Sequence, residues 1–225
     1  MVLLTLVFAS GLFLLSHLGI SSTSCRHALI ERLGRNGYLI VYSVVAILTL
    51  GFMILNYANR PVSPYLWVPS PAHWWVTYVM VGFSFILIVG AFSTKNPTSL
   101  GKEDELATEP RGVICITRHP FQWGLALWVL GHMVANGDLA SLVFFGTLGL
   151  VSVFGTYLID MRIAREQDGI WPGFAARTSN LPFGAVVTGR AKLDWNDLWL
   201  PALIGLAGYA VVFVGHGWIT GAGLL

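Results

Sequence analysis

The sequence predicts an all-α integral membrane protein, a single domain over 1–225 built as a bundle of about six transmembrane helices with a cytoplasmic amphipathic lid. Three observations carry this. Hydrophobic residues make up 55% of the chain and charged residues only 11%, where soluble domains carry about 25% charged residues; the mean hydropathy is +0.70. Apolar runs close to the roughly 20 residues that a bilayer crossing requires recur along the chain. Finally, 12 of the 13 Lys and Arg residues fall in alternate loops, as the positive-inside rule demands of a multi-pass protein.

Spans are expected at 2–20, 37–57, 74–92, 119–135, 139–159 and 198–218. No Lys or Arg precedes the first apolar run, so it lacks the charged leader of a secretory signal and reads as a retained first helix. The fourth run is short, at roughly 17 residues, and admits a partly re-entrant path. Arg26, Arg32 and Arg35 lie in the first loop, Lys95, Lys102, Arg111 and Arg118 in the third, and Arg162, Arg165, Arg177, Arg190 and Lys192 in the fifth. Arg60 stands alone on the opposite side. The basic side is expected to be the cytoplasm, with both termini outside and the protein in an inner (cytoplasmic) membrane.

The lipid bilayer is therefore the partner that the composition demands. A net charge of +2 gives no reason to expect nucleic acid, and a homo-oligomer is neither required nor excluded. Cys25 and Cys115 make no disulfide framework and no zinc-like spacing; both are expected as free thiols on the reducing face.

Between the spans, 59–73 (NRPVSPYLWVPSPAH) is rich in Pro and Trp and is expected to anchor the chain at the outer interface. The acidic run 102–109 reads as a solvated loop. The stretch 161–197 reads as the lid, helical through RIAREQ and broken at Trp171-Pro172-Gly173.

Chemistry concentrates in the histidines. His27 and His73 fall in or beside polar loops, His17, His132 and His216 fall inside spans, and His119 opens one. An imidazole in an apolar segment needs a partner, a ligand or a water-filled cavity. Several in one small bundle, without intramembrane carboxylates, disfavour a dinuclear carboxylate site and fit a haem between helices. Within 118–138, His132 shares a helical face with Phe121, Leu125 and Trp128, beside a strip formed by Gly124 and Gly131. Such small residues admit either a flat cofactor or a neighbouring backbone. His119 points about 140° away from His132 and about 20 Å along the axis, so one iron cannot take both unless the helix breaks. Asp160 is expected near Arg118, with Arg162 as competitor, in an ion pair that fixes helix ends.

These residues resemble a known family. HisPro at 119–120, LeuTrp at 127–128, His132 and AlaAsnGlyAspLeuAla at 135–140 are similar to the core of the NnrU family of membrane proteins, and His17 after LeuPheLeuLeuSer, Arg26 and Asp160 also match. The intervals of 102 residues from His17 to His119 and 13 from there to His132 resemble those of the plant 15-cis-ζ-carotene isomerases, a branch of the same superfamily. ArgThrSerAsnLeuPro at 177–182, GlyArg at 189–190 and LysLeu at 192–193 are similar to that branch too.

The resemblance implies haem b, its iron held by two histidines that carry over onto His17 and His132; His216 is the alternative ligand. Arg118, His119, Gly124, Trp128 and Gly131 are the further candidates for contacts to the cofactor, and no catalytic residue is assigned. Isomerases of that branch carry a cysteine where this chain has Val129, so no thiol is available there for iron. If the first helix ends at Ile20, His17 and His132 lie roughly 15 Å apart along the membrane normal. A first helix running on through SSTSCRHALIERL would bring His17 nearer the middle.

The resemblance implies a haem-dependent cis–trans isomerase acting on a hydrophobic polyene, such as a carotenoid. A second expectation is a haem-binding accessory or sensor protein that takes nitric oxide in nitrite and nitric oxide metabolism (denitrification). A third comes from ArgHisPro with Gly and LeuTrp at 118–128, GluGln at 166–167 and LeuProPhe at 181–183, which resemble S-adenosylmethionine-dependent membrane methyltransferases. Those enzymes carry a second glutamate where this chain has Gln167.

Overall fold

The structure, a computed structural model, describes residues 2–21, 23–60, 62–99 and 102–221. In chain order the helices are α1 (Val2–Ile20), α2 (Ser24–Ala58), α3 (Pro71–Ser93), α4 (Val113–Ile116), α5 (Pro120–Ala135), α6 (Leu139–Glu166), α7 (Trp171–Arg177), α8 (Gly184–Val187) and α9 (Trp195–Thr220), with a 3₁₀ turn over Glu103–Ala107. Among the described residues no strand forms, only an isolated antiparallel bridge between Tyr65 and Asp138.

Among the described residues α1, α2, α3, α6 and α9 are long and apolar enough to cross a membrane. The expected six spans thus become five of spanning length plus α5. With 16 residues, α5 extends about 24 Å, short of the roughly 30 Å hydrocarbon core.

The first helix does end at Ile20, so it does not run on through SSTSCRHALIERL. A second helix starts there instead, capped by Thr23, whose hydroxyl accepts from the Cys25 N–H at 3.2 Å. Gly34, at φ 70° and ψ 165°, then breaks α2 into a polar leading segment and an apolar run. A side chain at that φ would be strained, and glycine is not.

The lid region also differs from expectation. α6 continues to Glu166, and the chain turns over 167–170. Trp171-Pro172-Gly173 then opens α7 rather than breaking a helix. Proline in a first turn forfeits no hydrogen bond, and its fixed φ suits the helix. The acidic stretch is no free loop either: its 3₁₀ turn buries Leu106 completely, and Glu109 pairs with Arg177.

The chain divides into two compact units, Met1–Thr77 with Val129–Arg162, and Tyr78–Trp128 with Ile163–Leu225. In the first, α1 packs on α2, and the helix directions can be read from paired residues. Ser16 Oγ lies 3.5 Å from Thr49 Oγ1, and Ser21 approaches Tyr42, so α1 and α2 are antiparallel. Tyr57 stacks on Phe144 at 4.3 Å, while Tyr38 lies near enough to Arg162 to feel its charge, so α2 and α6 are antiparallel. His132 meets Phe145 at 5.0 Å, and Val129 would touch a Cβ on Gly149 at 3.1 Å, so α5 and α6 are antiparallel.

The segment 62–70 of the same unit does more than anchor. The Trp67 indole donates to Val134 O at 3.1 Å, Leu66 N–H to Gly137 O at 2.8 Å and Leu139 N–H to Pro64 O at 2.9 Å. It clamps the turn between α5 and α6, where Asp138 caps α6 by accepting from Ser141 N at 3.1 Å. His73 serves the next helix start: its Nδ1 accepts from Ser70 N at 3.0 Å at the head of α3.

In the second unit α4 packs on α8, and α7 packs on the 3₁₀ turn. Glycine lets helices approach where the sequence placed it. A Cβ on Gly205 would lie 2.8 Å from the Ile86 backbone, locking α9 to α3.

Candidate functional site

Two polar centres hold the residues singled out from the sequence, one in each unit. The first contains His17 and His132. His17 lies on α1, three residues before its end, half-buried between Phe13, at 3.9 Å between ring centroids, and Tyr42 at 5.8 Å. Its Nδ1 is 3.0 Å from Phe13 O and 3.2 Å from Ser16 Oγ. A carbonyl only accepts, so in that bond Nδ1 carries the proton and Nε2 keeps the lone pair. Metal-ligating histidines use the same division: one ring nitrogen is tied to a carbonyl or carboxylate, and the other is offered to the metal.

His132 lies on α5, half-buried against Phe145. The levels of the two histidines can be referred to α2. Ser16 abuts Thr49, and Phe145 lies 5.7 Å from Tyr57. Those α2 residues are eight apart, about 12 Å along the axis. Both imidazoles belong to one compact unit and His17 has its Nδ1 held by a carbonyl, so these are the residues that could hold a haem iron, with reference levels about two turns apart along α2.

Among the described residues no group of three or more His, Cys, Asp or Glu converges as a metal site. Gly131, also in this unit, accepts from Thr77 Oγ1 at 2.8 Å through its carbonyl. Its neighbour on the strip, Gly124, serves helix packing: a Cβ there would lie 2.7 Å from Ile88 and 3.1 Å from Ser84 O of α3. The space beside Gly124 is filled by that helix rather than left for a flat cofactor.

The second centre surrounds Arg118 and His119. His119 is completely buried, with its N–H donating to Thr117 Oγ1 at 3.2 Å and its carbonyl accepting from Trp123 N–H at 3.0 Å. Arg118 lies over the Trp171 ring at 5.3 Å, its N–H donates to Ser179 O at 2.8 Å, and its carbonyl accepts from Thr98 Oγ1 at 2.6 Å. Thr117 Oγ1 donates to Asn180 O at 2.6 Å, and Phe183 N–H to Ile116 O at 2.7 Å. This knot ties 116–118 to 179–183, so the ArgHisPro and ArgThrSerAsnLeuPro stretches meet in space. His119, expected to open a span, stands just before α5, and its full burial makes it part of the knot's interior.

Gly124, Trp128 and His216 also belong to this second unit. His216 Nδ1 is 3.3 Å from Thr220 Oγ1 on α9. Cys115, on α4, is buried; burial first, then the Asp197 and Glu109 carboxylates, push its thiol above the ordinary range. It therefore stays protonated and is poorly suited to act as a thiolate.

The NnrU protein family model matches this chain over residues 5–223. The chain belongs to the NnrU family. This NnrU chain is also 34% identical over 84 residues to the 15-cis-zeta-carotene isomerase, chloroplastic, of Zea mays, a match that covers 36% of the chain and 22% of that protein. It is 33% identical over 84 residues to the protein of the same name in Arabidopsis thaliana, again across 36% of the chain and 22% of the relative. The matched stretch is thus well under two thirds of either relative's length. No solved structure matches the chain.

Proposed function

We propose that this NnrU chain binds haem b through His17 and His132 and isomerises a cis double bond in a hydrophobic polyene within the membrane. The observation that carries the reading is the His17 imidazole, whose Nδ1 is committed to Phe13 O, which leaves Nε2 as the nitrogen that keeps its lone pair. The isomerase part draws on the two plant relatives, whose names specify a 15-cis carotenoid.

Haem held by His17 and His132 would supply a Lewis-acid centre for a polyene. The protein's own contribution is position and dryness. Phe13, Tyr42 and Phe145 present aromatic surface around the two imidazoles and exclude water. The Ser16 hydroxyl beside His17 Nδ1 adds a second polar contact that fixes the ring's orientation. Long apolar helices open to the bilayer let a lipophilic substrate arrive from the membrane without crossing water.

The test uses protein purified after haem-replete expression and incubated under reducing conditions with a 15-cis polyene, its geometry followed by absorbance. Parent protein converts the substrate, while His17→Ala and His132→Ala lose conversion. A haem-loaded parent that leaves the cis bond untouched defeats the isomerase reading, and a parent with no Soret band defeats the haem reading itself.

A further inference from the structure

A groove of about 430 Å³ opens in the second unit where the end of α3 meets the start of α9. Its polar rim holds Lys95, Arg111 and Asp197, and its inner wall is Leu200, Pro201 and Ile204 of α9. Neither Lys95, Arg111 nor Asp197 makes an ion pair with a described residue. Glu109 also borders the groove, but Arg177 already neutralises it. The remaining balance is two cations against one carboxylate.

Depth gives the groove a second character. α9 is of membrane-spanning length, and Trp195 and Trp199 in its first two turns are 69% and 46% exposed, as befits residues at headgroup depth. Leu200 and Ile204 continue from there toward the apolar part of the helix and are 46% and 48% exposed. The start of α9 is not itself the anion site, because Asp194 Oδ1 accepts from Asn196 N–H at 2.9 Å. Gly112, at φ +57°, keeps the floor open: a Cβ there would come within 3.2 Å of Thr94 Oγ1 and 3.4 Å of Asp197 O.

We propose that this groove binds the phosphate-and-amine head group of a membrane phospholipid, with an acyl chain laid along Leu200 and Ile204. Lys95 and Arg111 hold the phosphate, for which guanidinium and ammonium donors are suited. Asp197 takes the amine. The two signs on one rim distinguish this ligand from a purely anionic lipid, which leaves Asp197 repelled, and the apolar wall distinguishes it from a soluble phosphate. The inference is independent of the haem reading, since the groove residues all belong to the second unit and His17 and His132 to the first.

Native mass spectrometry of the detergent-purified chain tests it, using phosphatidylethanolamine, phosphatidylglycerol and water-soluble O-phosphoethanolamine as separate probes. Phosphatidylethanolamine is retained best. Lys95→Gln with Arg111→Gln lowers its retention about tenfold, the scale of losing one or two charge-assisted bonds. Asp197→Asn erases the preference over phosphatidylglycerol. The exposed pair Lys102→Gln with Lys192→Gln, outside the groove, leaves retention unchanged and controls for general charge. Equal retention by parent and groove variants overturns the proposal, as does an equal loss in the control pair. Binding of O-phosphoethanolamine without the lipid overturns the membrane part.

Discussion

His17 and Phe13 stand one helical turn apart on α1, with the imidazole Nδ1 3.0 Å from the Phe13 carbonyl and the two rings 3.9 Å apart. The bond chooses the tautomer and the stacking chooses the rotamer. Tyr42 of α2, 5.8 Å away on the other side, completes the enclosure of the ring. An imidazole held this way loses little freedom when it takes a ligand, which is the advantage of a preorganised site.

That relationship yields the first prediction. Absorption spectra of haem-loaded protein, oxidised and reduced, are expected to lose their low-spin character in His17→Ala and in His132→Ala, and to keep it in His216→Ala. Parent-like spectra in all three variants refute the ligand assignment.

Gly137 tests the clamp on the α5–α6 turn. A Cβ there would fall 2.1 Å from Trp67 O, backbone that cannot swing aside. Gly137→Ala is expected to cost about 3 kcal/mol, at the upper end of overpacking effects. Gly146→Ala on α6 meets nothing within 4 Å, and it should hold or raise stability by up to about 1 kcal/mol through helix propensity. Thermal melting in detergent measures both; equal midpoints would show that the clamp is dispensable.

Asp138 sets an acid limit on stability. Burial acts to raise its pKa, but the hydrogen bonds from Ser141 and Ser63 and the charge of Arg60 outweigh burial, so the carboxyl sits below its usual range. A folded pKa below the unfolded one contributes stability that is present above the unfolded value of about 3.9 and is lost as pH falls through the folded value. Melting midpoints between about pH 5 and pH 2 should therefore drop less steeply in Asp138→Asn than in the parent. Parallel curves would place the acid-sensitive group elsewhere.

The two thiols should part company in alkylation. Cys25 is exposed, whereas Cys115 is buried, donates to Pro110 O at 3.4 Å and is held protonated. Iodoacetamide at neutral pH is expected to label Cys25 well before Cys115, as read by peptide mass spectrometry. Equal rates would mean that α4 opens readily.

Thr117 reports on the knot around Arg118. It is completely buried, and its hydroxyl donates to Asn180 O at 2.6 Å and accepts from His119 N–H at 3.2 Å. Thr117→Val keeps the shape and strands both partners, at a cost of about 1–3 kcal/mol. A variant as stable as the parent would show that water replaces the hydroxyl and that the knot is not sealed.

By itself the sequence determined the class and the helices. A run such as 139–159 is apolar over enough residues to require a helix in lipid, because no other backbone arrangement there satisfies its own hydrogen bonds. α1 appears at its expected bounds for the same reason. Boundaries set by local chemistry were less legible: Thr23 starts a helix and Gly34 breaks one, and hydropathy registers neither. Trp171-Pro172-Gly173 was ambiguous, since a proline ends one helix as readily as it opens the next.

Partnership between segments came from helix packing. The spacing of Gly124 and Gly131 allowed a cofactor or a helix; α3 occupies the space beside Gly124. Trp67 read as an anchor until its indole met Val134 O. His17 and His132 were two costly imidazoles on separate segments, and packing sets His17 beside Tyr42 of α2 and His132 beside Phe145 of α6. Period and composition describe one helix at a time, whereas a site depends on which helices face which, and packing alone settles that.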